Sequence, residues 1–296
     1  MNVLINGASG YIGYHLTKEM LLAGHTVYAV CRHIGFLIEF EHNRNLNVIF
    51  AEQNELADRL KDIKPDVWYQ LLWDGHRGEK RADPILQISN EIMYINAINI
   101  AESLSCGKII FTGTVYENFT DKILNDSKFN KHSFYIISKK HARETTFQLS
   151  KGMNIEYLWI QLCHPYGKYM NEGQLMPYAI KCFSEDLPTE FGSCENYFDI
   201  ISVKYLVSSL RSVGEKKTSK SFYYIGSGKP RKLKEYMIEA ARICDYKLPI
   251  GFGKRPDDGL VFEKQWFDTS DFENEFGLRN TEKIEDIIKS KNKNAD

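Results

Sequence analysis

The sequence predicts an α/β fold: a doubly wound parallel sheet with a smaller C-terminal substrate lobe. Three observations carry that expectation. Short apolar runs alternate with longer amphipathic stretches through the first half of the chain. A glycine triplet follows the first run at once. After about residue 165 the alternation gives way to aromatics, prolines and loops.

The elements follow in order. "NVLING" is a short strand that starts almost at residue 1, and Gly7, Gly10 and Gly13 come directly after it. "YIGYHLTKEMLLAGH" then places Ile12, Leu16 and Met20 on one helical face. Gly24 marks the helix end, and "HTVYAVC" resumes as a strand. In this strand–turn–helix–strand unit the glycines allow a tight turn, a close approach by a phosphate and close helix packing. The helix N-terminus offers N–H groups and a positive dipole end to a pyrophosphate. Nucleotide binding is therefore expected, the bland alternative being a plain tight turn. "LNVIFAE" reads as a strand, "NELADRLKDI" as a helix, "PDVWYQLL" as a strand and "PILQISNEIMYINAINIAESLS" as a long helix. "GKIIFTGT" is a strand, "FYIISKKHARETTFQLS" a helix and "IEYLWIQL" a strand. Ligands of such sheets sit at the carboxyl ends of the strands, which here carry Gly7, Cys31–Arg32, Leu71–Trp73, Thr112–Thr114 and His164.

Residues 1–164 are expected to form the nucleotide-binding domain and 165–296 mostly the smaller lobe, closing over the sheet's edge, with a segment near 197–215 returning to the sheet domain. Helical pieces in the lobe are "YAIKCF", "VKYLVSSLRSV" and "LKEYMIEAARIC". The tail "KSKNKNAD" reads as a frayed, solvated end.

Bulk properties narrow the function. The formal net charge is −1, so no basic excess points to nucleic acid or an anionic membrane surface. Six scattered cysteines without a C-x-x-C pair fit reduced thiols, and the expected location is the cytoplasm. The first residues lack the basic start of a signal peptide, no run approaches the ~20 apolar residues of a membrane span, and no metal site is expected. Tyr-x-x-x-Lys occurs twice, as Tyr14/Lys18 and Tyr135/Lys139, so its spacing alone does not choose between chemistry and accident.

Ordered matches along the chain make that choice. Gly-x-x-Gly-x-x-Gly at Gly7, Gly10 and Gly13, "QLLWDG", "FTGTVYE", Tyr135/Lys139 at 21 and 25 residues after Thr114, "HPYG", "YFDIISV" and "YYIGSGKPRKLKEYM" follow one another. In these the chain resembles the extended short-chain dehydrogenase/reductase (NAD-dependent epimerase/dehydratase) family, in its nucleotide-sugar branch, nearly end to end. The resemblance implies a Rossmann domain in which Gly7, Gly10, Tyr11, Ile12, Gly13, Arg32, Leu71, Tyr135 and Lys139 bind the cofactor. It implies Tyr135 as proton donor and acceptor, Lys139 as the cation that tunes it and holds the nicotinamide ribose, and Thr114 as the hydroxyl on the reacting oxygen. A free tyrosine titrates near pH 10, and a nearby ammonium favours its phenolate. Counting back from Val115–Tyr116 points to Thr112 instead of Thr114, and both threonines could face the site. Tyr14 and Lys18 lie inside the first helix and read as structural.

Departures from the family pattern shape the rest. Cys31–Arg32 replaces the carboxylate of an NAD-preferring strand tip, so the expected cofactor is NADP(H), with NAD(H) second; the alternative is an arginine stacked on adenine. Thr114, Trp73, His164 and Arg255 are the expected substrate contacts, with His164 in the place of an asparagine. Phe198 stands where an arginine often meets the diphosphate, a charge Arg255 could supply. The dehydratases of the family carry Asp-Glu after the catalytic threonine, whereas Thr114 is followed by Val115 and Tyr116. The resemblance thus implies NADPH-dependent reduction of the 4-keto group of a CDP- or dTDP-activated deoxysugar, as in surface-polysaccharide sugar biosynthesis. A nucleotide-sugar 4-epimerase is the alternative, and a non-catalytic NADP-binding regulator the alternative of another class. It also implies a homodimer through the helices at about 84–105 and 134–150.

Overall fold

The computed structural model describes residues 1–286 and 288. The tail read as frayed, residues 289–296, lies outside the described residues. Two compact units emerge: Met1–Gln161 with Val207–Tyr223, and Leu162–Leu206 with the chain from Tyr224 onward.

In chain order the elements are β1 (Asn2–Asn6), α1 (Tyr11–Leu22), β2 (Thr26–Cys31), β3 (Leu46–Phe50), α2 (Leu56–Leu60), β4 (Val67–Gln70), α3 (Pro84–Ser103), β5 (Lys108–Thr114), α4 (Thr120–Asn125), α5 (Ser133–Ser150) and β6 (Glu156–Leu162). They continue with β7 (His164–Tyr166), α6 (Leu175–Ser184), β8 (Tyr197–Phe198), β9 (Ile200–Ser202), α7 (Val203–Glu215), β10 (Phe222–Ile225), β11 (Arg231–Lys232), α8 (Leu233–Ile243) and α9 (Ser270–Phe276).

The seven-stranded sheet has the order β10-β6-β5-β4-β1-β2-β3. β1 pairs in parallel with both β2 and β4, β2 with β3, and β4 with β5. Strands added after β1 run to one side, and from β4 onward to the other, so the order reverses between β1 and β4. A crevice opens outside the strand carboxyl ends at such a reversal. Val3, Leu4, Ile5, Trp68, Tyr69, Ile109, Ile110 and Phe111 are fully buried. These central strands are covered on both faces, which is why they read as unbroken apolar runs.

α1 buries Leu16 and Met20 completely, while Ile12 is half-buried near the turn. Its end follows the glycine cap the sequence anticipates: Gly24 has φ +80°, its amide donates to the Leu21 carbonyl, and the His25 amide to that of Met20. The helix expected over "NELADRLKDI" is shorter than predicted. A 3₁₀ turn, Gln53–Glu55, with a Glu52/Glu55 capping box leads into only five α-helical residues. Only Leu56 and Leu60 of that helix reach the core, and Pro65 soon forces the chain extended before β4.

The second unit has its own core, in which α6 packs on α8. Ile180, Phe183, Phe191, Tyr236 and Met237 meet there. Two small two-stranded sheets, β7 with β9 and β8 with β11, complete its regular structure among the described residues.

Candidate active site

The turn from β1 to α1 is built around glycine. Gly7 has φ +87°, and its amide and that of Ala8 both donate to the Val30 carbonyl at 3.1 Å, tying the turn to the β2 tip. A Cβ on Gly13 would lie 2.1 Å from the Gly7 carbonyl oxygen, so the helix approaches the turn more closely than any side chain permits. Gly10 is the N-cap and brings no capping side chain; Tyr11 and Ile12 open α1 behind it. The result is a cradle of backbone at the positive end of a helix. Leu71 and Leu72 continue past β4, their amides donating to the Asn6 carbonyl at 3.0 and 3.2 Å, which pins the two strand tips together at the reversal.

Arg32 follows β2. Its guanidinium holds Asp74 with two bonds of 2.8 and 3.1 Å, the side chains being 44% and 41% exposed. Asp74 is itself fixed through its backbone: its amide donates to Asn90 Oδ1 and its carbonyl accepts from Asn90 Nδ2.

The catalytic candidates come from β5 and α5. β5 ends at Thr114, which caps the 3₁₀ turn Val115–Phe119. α5 puts Tyr135 in its first turn and Lys139 one turn further along the same face. Tyr135 is 6% exposed and Lys139 4%. The Thr114 side chain is near enough to the Tyr135 hydroxyl to favour its ionised form. The two threonines play different parts. Thr112 turns its hydroxyl to the Gln70 carbonyl at 3.4 Å, while its own carbonyl accepts from Lys139 Nζ at 2.8 Å and from the Tyr94 hydroxyl at 3.2 Å.

Aromatic rings enclose the lysine. Its Nζ lies 3.8 Å from the Trp73 ring centroid and 4.8 Å from that of Tyr94, and Trp73 Nε1 donates to Gln87 Oε1 at 2.9 Å. Burial disfavours the ammonium and pushes its pKa down to about 7, with Glu117 pulling weakly the other way. Burial also raises the Tyr135 phenol; the Arg81 guanidinium over its ring and the Thr114 hydroxyl act in the opposite direction.

Three further residues belong to this neighbourhood, and reading the sequence for chemistry passed over them. Glu117 is buried beneath the β5 tip. It accepts from the Thr114 amide at 2.7 Å and from Trp159 Nε1 at 3.1 Å, with Arg143 at 3.5 Å, and burial pushes its carboxyl up to about 7. A Cβ on Gly113 would fall 2.0 Å from Trp159 Nε1 and 2.3 Å from Glu117 Oε1, so this pairing needs the glycine. The T-x-x-E pattern of Thr114 and Glu117 was the available signal, since it spells a capping box. Arg81 and Asp74 gave no such signal, because their partners are distant in sequence.

Tyr14, of the second Tyr-x-x-x-Lys copy, donates to Glu39 Oε2 at 2.7 Å and stacks on Phe40. His164 and Arg255 belong to the second unit. There His164 stacks on Phe198 at 3.7 Å with Cys163 Sγ 2.7 Å from its Nδ1, and Arg255 is exposed beside Glu190 at 3.7 Å. Among the described residues no group of acidic, histidine or cysteine side chains could hold a metal ion.

The sheet order and the glycine turn define a Rossmann-like α/β protein with a buried tyrosine and lysine on α5 and a half-buried threonine at the β5 tip. The chain belongs to the NAD dependent epimerase/dehydratase family, whose model matches residues 3–226. It is 23% identical over 247 residues to CDP-abequose synthase of Salmonella typhimurium, covering 80% of this chain and 78% of that one. It is 24% identical over 259 residues to dTDP-6-deoxy-L-talose 4-dehydrogenase (NAD(+)) of Aggregatibacter actinomycetemcomitans, covering 84% and 92%. Its fold is similar to that of UDP-glucose 4-epimerase from Thermotoga maritima, with a TM-score of 0.80, 16% identity and coverage of 98% and 97%.

Proposed function

We propose that the protein uses NADPH to reduce the 4-keto group of a CDP- or dTDP-activated deoxysugar. The observation that carries this reading is the arrangement of the buried Tyr135 and Lys139 with the half-buried Thr114, with no acid pair beside it. Val115, which follows Thr114, is fully buried, and the next carboxylate along the chain, Glu117, is turned inward onto the Thr114 amide and Trp159. That leaves a proton relay suited to carbonyl reduction and no base placed for eliminating water. The relatives named for CDP-abequose and dTDP-6-deoxy-L-talose support a nucleotide-linked deoxysugar as substrate.

The turn fits a dinucleotide: without a Cβ at Gly7 or Gly13, Leu72 and the Gly7–Ala8 backbone pack directly against it, 2.9 and 2.1 Å from where those atoms would lie, and the bare α1 N-terminus is what a pyrophosphate needs. When bound, the reduced nicotinamide supplies the hydride. Gly7, Gly10, Tyr11, Ile12 and Gly13 would hold the pyrophosphate, Leu71 the strand-tip side of the cofactor, and Tyr135 and Lys139 the ribose end. Thr114 would orient the substrate carbonyl, and Tyr135 would deliver a proton to its oxygen as the alcohol forms. Trp73, His164 and Arg255 would contact the sugar nucleotide.

NADP(H) is favoured because the β2 tip itself carries Cys31–Arg32 in place of a carboxylate, and Arg32, although paired with Asp74, is partly exposed there. Its present partner is a surface ion pair, worth roughly 0–1 kcal/mol, which a 2′-phosphate can displace. Asp74 is also the observation that favours the second reading: an Arg32 that keeps Asp74 would leave room for NAD, and with it a nucleotide-sugar 4-epimerase. The expected assembly is a homodimer through α3 and α5, since Ile85, Ile88 and Ile92 form an exposed apolar stripe on α3. Among the described residues no helix is long and apolar enough to cross a membrane; the location proposed is the cytoplasm, on the scattered cysteines without a C-x-x-C pair.

The test supplies the purified protein with a CDP- or dTDP-4-keto-6-deoxysugar and either NADPH or NADH, and follows loss of reduced nicotinamide. Stoichiometric oxidation with NADPH, yielding the 4-hydroxy sugar, is the expected result. Interconversion of a 4-hydroxy sugar with its epimer without net cofactor oxidation would replace reductase by epimerase.

A further inference from the structure

Arg81 lies in the 3₁₀ turn Gly78–Ala82 between β4 and α3. Its guanidinium carbon sits 4.6 Å from the Tyr116 ring centroid and 4.5 Å from that of Tyr135, so the cation lies against both rings, which meet edge-on at 6.4 Å. Two contacts fix it there: Nε donates to the His76 carbonyl at 2.7 Å, and Nη1 lies 3.2 Å from Nδ1 of the buried His132. Trp73 meets Tyr135 edge-on from another side, at 6.2 Å. Lys139, by contrast, spends its Nζ on the Thr112 carbonyl, the Tyr94 hydroxyl and the Trp73 face.

We infer that Arg81 is a positioning residue for Tyr135: wedged against its ring, it holds the phenol toward Thr114 and is the cation that makes it a competent proton donor. The inference rests on the reading of Tyr135 as that donor. The physical case is geometric. A guanidinium on an aromatic face is attracted by the ring quadrupole, and its planar shape lets it stack where an ammonium cannot. The same positive charge favours the ionised phenol, so it offsets part of the cost of burying Tyr135. Other groups face the phenol as well. Thr114 lowers its pKa, Glu117 and Tyr116 raise it, and Arg77 interacts with Tyr135 and Tyr11. Lys139 follows on the same helix face, with Tyr94 beyond it. Arg81 is the one cation stacked on the Tyr135 ring among the described residues.

The test compares Arg81→Gln and Arg81→Lys with wild type. Removing the cation raises the phenol's pKa. In reduction, the alkaline limb of the pH–rate profile should therefore move to higher pH. The rate at neutral pH should fall about tenfold, a fraction of the roughly 10²–10⁴-fold that a positioned acid supplies, with KM for the sugar nucleotide within about twofold. Arg81→Lys should keep the limb near its wild-type position and recover only part of the rate, because charge remains and the stack is lost. In a Tyr135→Phe background, Arg81→Gln should add nothing further. A second readout needs no turnover: tyrosine labelled with carbon-13 at Cζ, with the Tyr135 resonance assigned through Tyr135→Phe, should titrate at higher pH in Arg81→Gln. An unchanged Tyr135 titration in Arg81→Gln would overturn the inference. A wild-type protein inactive on every 4-keto sugar, yet with a shifted Tyr135 titration in the variant, would instead remove the proposed reaction and leave the Arg81–Tyr135 coupling standing.

Discussion

Replacing Lys139 by methionine should stabilise the protein at neutral pH while abolishing its chemistry. The structure supplies the magnitude. Burial lowers the Lys139 ammonium from its ordinary 10.5 to about 7, a fall of roughly 3.5 pH units, or about 5 kcal/mol at 1.36 kcal/mol each. Below about pH 7 both folded and unfolded chains hold the proton, and the folded chain bears the whole cost of a buried cation. Between about pH 7 and 10.5 the folded chain has released its proton and the unfolded chain has not, so wild-type stability rises with pH across that window. Methionine, of similar length and uncharged, removes the cost. It also forfeits the bonds from Nζ to the Thr112 carbonyl and Tyr94 hydroxyl, about 1 kcal/mol each. Tyr94 still donates to Thr112, so that carbonyl keeps a partner. The expected net gain is about 3 kcal/mol near pH 7, or roughly 6 °C in Tm at about 2 °C per kcal/mol for a chain of this size. It should vanish near pH 9, where the remaining charge cost equals the roughly 2 kcal/mol of lost hydrogen bonds, and turn into a loss of about 1 kcal/mol by pH 10. Thermal melts of both proteins across that range provide the assay, with NADPH affinity and turnover measured alongside. A constant difference in Tm between the two proteins at every pH would refute the reasoning, as would a less stable variant at pH 7.

Four other outcomes are expected. Tyr135→Phe should lower turnover by roughly 10²–10⁴-fold with NADPH binding retained, whereas Tyr14→Phe, which loses the bond to Glu39, should leave turnover near wild type; steady-state kinetics separate them. Glu117 holds its proton to about pH 7 in the folded chain against its ordinary 4.5. Wild-type stability should therefore fall as pH rises through that interval, and Glu117→Gln should flatten the fall in denaturant titrations. Arg32→Asp should move cofactor preference from NADPH towards NADH, measured by fluorescence titration, because a carboxylate repels the 2′-phosphate. Light scattering should give a dimer mass for wild type and a monomer mass for Ile88→Arg, which places a charge on the exposed α3 stripe.

Much of this protein is legible locally. The β1–glycine–α1 turn is written in adjacent residues: only glycine accepts φ +87° at position 7 at no cost, and only glycine fits against the Gly7 carbonyl at position 13. Central strands betray themselves as apolar runs because both their faces are covered, and Tyr135 and Lys139 share a face because one helix carries both. Wherever cause and effect lie within a few residues, periodicity and turn chemistry suffice, and even the Thr114–Glu117 capping box was there to be read. Tertiary structure decided everything that depends on meeting a distant segment. The separate parts of Thr112 and Thr114 follow from what β4 and α5 bring beside β5, which strand alternation does not specify. Asp74 reaches Arg32 across 42 positions, and Arg81 reaches His132 across 51. Packing also set the charges: the same lysine that titrates at its ordinary value in water is held near 7 because Trp73, Tyr94 and Trp159 surround it. Desolvation is a property of the neighbours a side chain acquires in space, and those neighbours come from α3, β6 and the loop after β4.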